Sequence, residues 1–130
     1  MAAWRERTGE TKEVYIAGDI GQIPGDALAT EGYFMPRIRR DLPYFSGRRR
    51  GLFVFETFSE MEEILPAIKM IGEQAFITVQ FSVNQFGYSN AGLSARKLLQ
   101  RAGAIKEIDA VGFNCGVGPS HMYRIRADTL

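Results

Sequence analysis

The chain has 130 residues, enough for one ordinary domain and too few for two. Apolar residues make up 45% of it and charged residues 24%, close to the globular average, which excludes a disordered tail, a collagen-like fibre and a low-complexity linker. Sixteen Lys and Arg against fifteen Asp and Glu leave a net charge of +1, so neither nucleic acid nor a membrane surface is expected as a partner.

The elements read in chain order as strands alternating with helices. Val14 to Gly18 is the first β-like run. A weak helical pattern follows from Tyr33 to Arg40, interrupted by Pro36. Leu52 to Phe55 is the second strand. Ser59-Glu60-Met61-Glu62 then has the form of a capping box, in which the Ser hydroxyl takes the Glu62 amide. Ile64, Leu65, Ile68 and Ile71 continue it at helical spacing, with Pro66 awkward among them. Phe76 to Phe81 is the third strand. Ser94 to Ala102 is the next helix, with Leu98 and Leu99 inward and Gly103 as its stop. Ala110 to Phe113 is the fourth strand, and a last helix opens at Pro119.

These runs are almost continuously apolar, as in strands buried on both faces of a parallel sheet. Strict alternation with helices means parallel βα units joined by right-handed crossovers. The spacings between strand starts are 38, 24 and 34 residues. They resemble the ~30 residues per unit of a (β/α)8 barrel.

Cys115 is the sole cysteine, so an internal disulfide framework is excluded. Met1 to Lys12 is polar and charged, without the apolar centre of a signal peptide. No apolar run approaches the ~20 residues of a membrane helix. A reducing, cytoplasmic setting is the expectation.

Ligands of parallel α/β sheets gather at the carboxyl ends of the strands. There the sequence places Gly18-Asp19-Ile20-Gly21, then Glu56-Thr57, then Ser82, Asn84 and Gln85, then Asn114-Cys115-Gly116-Val117-Gly118-Pro119. Each group also has a plain reading. Glu56 can be a solvated loop acid, Cys115 a small buried apolar residue, and His121 a surface residue. Gly116-x-Gly118 lacks the form of a dinucleotide fingerprint. The arginines at 37, 39, 40, 48, 49 and 50 read as a solvated face.

Three segments together are more specific than any one: Ile16-Ala17-Gly18-Asp19-Ile20-Gly21, Leu52-Phe53-Val54-Phe55-Glu56-Thr57-Phe58, and Val111-Gly112-Phe113-Asn114-Cys115-Gly116-Val117-Gly118-Pro119. In this order they resemble the homocysteine-binding domain family. That family includes homocysteine S-methyltransferases, betaine–homocysteine methyltransferases and the amino-terminal module of cobalamin-dependent methionine synthase. The resemblance implies α/β architecture forming about half of a (β/α)8 TIM barrel, apparent strands three to six. Residues 1–130 would then be one partial homocysteine-binding domain.

The resemblance also implies chemistry. Its members methylate the homocysteine sulfur, giving methionine, at a zinc ion held by three cysteine thiolates. Cys115 matches one of the three, and the chain has no second cysteine. Glu56 matches the acid that holds the substrate ammonium, and Asn114 the asparagine beside the metal cysteine. Thr57, Gly116 and Asp19 complete the expected substrate contacts, although Asp19-Ile20-Gly21-Gln22 departs from the family's Ser-Ile-Gly-Pro. Homocysteine and a methyl donor are the expected partners, with cobalamin or folate acting only through other modules. The competing expectation is a non-catalytic fragment or half-barrel. It would act by pairing with the remaining barrel segments, or with itself, through open sheet edges.

Overall fold

The computed structural model describes residues 9, 17–22, 27–45 and 51–129. Strand β1 is Ala17–Gly21, helix α1 Ala27–Phe45, β2 Gly51–Phe58, α2 Leu65–Ile71, β3 Ala75–Phe81, α3 Ala95–Gly103, β4 Ala110–Phe113 and α4 Pro119–Thr129. A 3-10 turn, Gly72–Gln74, joins α2 to β3. The four strands form one sheet in the order β1-β2-β3-β4, and every pairing is parallel. Sequential order with right-handed crossovers puts all the helices on one face and all the carboxyl ends at one rim.

The core lies between that face and the helices. Phe53 and Phe55 of β2, and Ile77, Val79 and Phe81 of β3, are at most 1% exposed. Ile38 of α1, Ile68 and Ile71 of α2, Leu98 of α3 and Ile125 of α4 pack with them. The alternate residues of the sheet are less covered, Phe76 being 40% exposed. Among the described residues, no helix is long and apolar enough to cross a membrane.

Several local expectations change. Val14 to Ile16 lie outside the described residues, and β1 runs on through Gly21, so Asp19 sits within a strand and not in a turn. Likewise β2 continues to Phe58, which places Glu56 and Thr57 inside it. Helix α1 is longer than its pattern and contains both Pro36 and Pro43. Burial of Ile38 shows tertiary packing overriding local propensity there.

The capping box does not form. Helix α2 begins after Ile64 without a side-chain cap, and the Ser59 hydroxyl donates to Gln22 Oε1 at 3.4 Å. Pro66 therefore falls in the first turn, where its missing N–H has no intrahelical partner to lose. Gly103 is the last residue of α3 and not a left-handed stop, because the helix closes on Ala104 in a right-handed conformation. Leu98 is fully buried while Leu99 is only partly so.

Helix α3 starts as its sequence predicts. The Ser94 hydroxyl accepts from the Lys97 amide at 3.3 Å. Replacing such a cap by Ala costs about 1 kcal/mol. Ser94→Ala is therefore expected to lower the Tm by roughly 3–6 °C in a thermal melt followed by circular dichroism.

Candidate active site

The pairing of β2 with β3 runs in step as far as Phe55 with Val79, but resumes with Phe58 against Phe81. Three residues of β2 thus advance against two of β3, which is a β-bulge at Glu56-Thr57. Thr57 has φ 67, in the left-handed region. Such a conformation costs a non-glycine residue about 1–3 kcal/mol and persists only where its surroundings impose it.

Asn114 imposes it. Its backbone N–H continues the sheet to the Phe81 carbonyl at 3.0 Å, and its side chain reaches past the end of β3 to β2. Asn114 Oδ1 accepts from the Thr57 amide at 3.1 Å. Asn114 Nδ2 donates to Thr57 Oγ1 at 3.0 Å and to Glu56 Oε2 at 3.3 Å. One carboxamide thereby uses both its donor and acceptor ends on the bulge. Glu56 is half-buried in a strand, which removes its reading as a solvated loop acid.

Cys115 follows directly, with φ 56. Its thiol is exposed, so it does not serve as a buried apolar residue. Thr57 Oγ1 lies 4.0 Å from Cys115 Sγ. Thr57 and Cys115 are the two non-glycine residues with positive φ among the described residues, and they meet at one point on the rim. Backbone strain of this kind concentrates at functional sites.

Gly116 continues the left-handed turn at φ 75. A Cβ there would stand 2.2 Å from the Val83 carbonyl oxygen, so glycine is required for packing as well as for φ. The Val117 amide donates to the Cys115 carbonyl at 2.8 Å, and the Gly118 carbonyl accepts from the His121 and Met122 amides as α4 opens. Beside this turn is a cleft of about 400 Å³ lined by Gln85, Phe86, Gly116, Val117 and His121 among others.

The remaining rim residues divide by role. Asn84 Oδ1 accepts from the Phe86 and Tyr88 amides, so it shapes its own loop. Asp19 pairs in register with Val54, two residues below the level of Gly21 and Glu56, and is exposed. His121 is exposed on the first turn of α4. Arg37, Arg39 and Arg40 are exposed as expected, while Arg48 to Arg50 lie outside the described residues. One cluster escaped the sequence reading. Gln22 Nε2 donates to Glu63 at 3.4 Å, and burial, with the charge of Glu60, pushes the Glu63 carboxyl above its ordinary pKa against the opposing Gln22 bond.

A three-thiolate zinc site does not fit this chain alone. Among the described residues, no group of three or more His, Cys, Asp or Glu is placed to hold a metal ion. The sequence contains one thiol.

The turn yields a stability expectation. Gly116→Ala drives a methyl into a backbone carbonyl and strains φ, which together should cost on the order of 3 kcal/mol. A lower urea midpoint with an unchanged m-value would show it.

The whole-chain comparisons agree with this geometry. The family model for homocysteine S-methyltransferase matches residues 2–128. No curated protein sequence matches the chain. Among solved structures, the apo form of the homocysteine methyltransferase MmuM from Escherichia coli is similar, with a TM-score of 0.68 at 17% identity. That alignment covers 93% of this chain and 46% of the MmuM chain, so four βα units correspond to about half of a TIM barrel. The chain belongs to the homocysteine S-methyltransferase family.

Proposed function

We propose that this chain carries the acceptor-binding half of a homocysteine S-methyltransferase barrel. The observation that carries this reading is the hydrogen-bonded unit of Glu56, Thr57 and Asn114, joined through the backbone to Cys115. Glu56 is the acid expected to take the substrate ammonium, a positioning contribution. Cys115 stands where the sulfur end of the amino thiol would lie. The reaction of the complete barrel would be methyl transfer to the homocysteine sulfur, giving methionine.

The donor is open among S-methylmethionine, betaine and methyl-folate through cobalamin, although Thr57 in place of an aromatic residue argues against betaine. Cys115 would contribute one thiolate toward zinc, and the other donors would come from outside this chain. A single unpaired thiol suits the reducing cytoplasm.

The second reading is a half-barrel that acts only with another chain. The less-covered sheet face, with Phe76 40% exposed, and the edge positions of β1 and β4 favour it. Here the chain alone yields no methionine, and methyl transfer appears only when the remaining barrel segments are added.

The acceptor reading has a test that needs neither metal nor donor. The Cys115 thiolate attacks one sulfur of homocystine. A Cys115–homocysteine disulfide forms, the original S–S bond breaks, and one homocysteine thiolate leaves. If Glu56 holds the ammonium, Glu56→Gln should slow this exchange about tenfold while leaving exchange with the neutral bis(2-hydroxyethyl) disulfide unchanged. Mass spectrometry of the protein follows both reactions. Equal rates for Glu56→Gln and the unsubstituted chain would overturn the assignment.

A further inference from the structure

We propose that Asn114 is a positioning residue that sets the length of amino thiol the site accepts. The inference rests on the acceptor reading of Glu56 and Cys115. It goes beyond that reading by giving Asn114 a task other than touching substrate.

An amino thiol must span two fixed points, a carboxylate for its ammonium and the sulfur position beside Cys115. Homocysteine and cysteine differ by one methylene, so discrimination between them depends on how firmly that span is held. Nothing in the sheet ladder holds it directly, because β2 and β4 are separated by β3. The bulge adds slack, since Glu56 and Thr57 have left the regular register.

The Asn114 carboxamide removes the slack. It bonds the Glu56 carboxylate, the Thr57 amide and the Thr57 hydroxyl, and the backbone of the same residue leads directly into Cys115. Thr57 Oγ1, 4.0 Å from Cys115 Sγ, closes the loop from the other side. Both ends of the span therefore hang on a single residue, Glu56 through its side chain and Cys115 through its backbone. With Glu56 Oε2, the Thr57 amide and the Thr57 hydroxyl all bonded to it, the Asn114 carboxamide is engaged without a substrate. In this proposal Asn114 and Thr57 act as a rigid brace behind Glu56 and Cys115.

The exchange reaction reads this out in the chain as it exists. Three disulfides are compared: homocystine, cystine and the neutral bis(2-hydroxyethyl) disulfide. The unsubstituted chain should prefer homocystine to cystine about tenfold, the lower end of what one methylene is worth in a fitted site. Asn114→Ala should bring the two to within about twofold of each other. Asn114→Asp is near-isosteric and guards against misfolding. It keeps the acceptor for the Thr57 amide, loses the donor to Glu56, and should also lose most of the preference. Exchange with the neutral disulfide reports the thiol itself, and a merely structural role would move all three rates alike.

Retention of the preference in both Asn114 variants would overturn the proposal while leaving the Glu56 assignment standing. Loss of the preference with a parallel change at the neutral disulfide would overturn it too. Equal rates for homocystine and cystine in the unsubstituted chain would sink it directly. Indifference of all exchange to Glu56→Gln is the separate outcome that removes the acceptor reading beneath it.

Discussion

The rest of the structure depends on one apolar layer, the phenylalanine and β-branched residues of β2 and β3 pressed against the helices. Phe53, Phe55, Ile77, Val79 and Phe81 are essentially buried. Each is worth roughly 1.5–3 kcal/mol of burial. Because these residues alternate along parallel strands, their burial fixes which side chains face the other way. The helical crossovers that cover this layer keep every strand parallel, and so gather Glu56, Ser82 and Asn114 at one rim. The site is thus a consequence of how the core is wound.

On that rim the structure spends stability locally. Two non-glycine residues in the left-handed region, Thr57 and Cys115, cost about 1–3 kcal/mol each. The bulge that contains Thr57 also interrupts the ladder between β2 and β3. The Asn114 side chain offsets part of this, since each hydrogen bond contributes about 0.5–1.5 kcal/mol net, and one to a charged group about 1.5–3. The signs make mechanical sense. An unbraced bulge would relax into regular strand, and Glu56 would shift with it. Braced, the strain is held in a single geometry.

The strands were legible in the sequence because they are rich in β-branched and aromatic residues. The expectation of burial on both faces is not met: Phe53, Phe55, Ile77, Val79 and Phe81 are buried while the alternate residues are less covered, Phe76 being 40% exposed. Leu52 to Phe55 and Phe76 to Phe81 needed no periodicity argument. Their ends were less so. The apolar run stops before Glu56, yet the strand continues to Phe58, because backbone pairing does not require apolar side chains. Ser59 to Glu62 carries a capping box that the fold ignores. Ser59 is 6% exposed and turned to Gln22, a partner 37 residues away that no local pattern encodes. The identities of Glu56, Asn114 and Cys115 as a set were legible through their strand-end positions. Their connection was not, since nothing in a threonine announces a left-handed conformation. Gly116 shows the opposite case: its residue type signalled a special turn, but the reason, the Val83 carbonyl at its Cα, belongs to a neighbouring loop.

The hydrogen bonds of Asn114 are made within this chain's own four βα units. Contacts among Glu56, Thr57, Asn114 and Cys115 all lie within β2, β4 and the turns that follow them, with β3 between. None of them involves the part of the MmuM chain that this chain does not span. A three-thiolate metal site behaves differently, because a single chain with one thiol cannot assemble it. Under the proposed function, orientation of the amino acid and activation of its sulfur would be separable: the first would rest on this local hydrogen-bonded unit, and the second would need thiolates that this sequence does not contain.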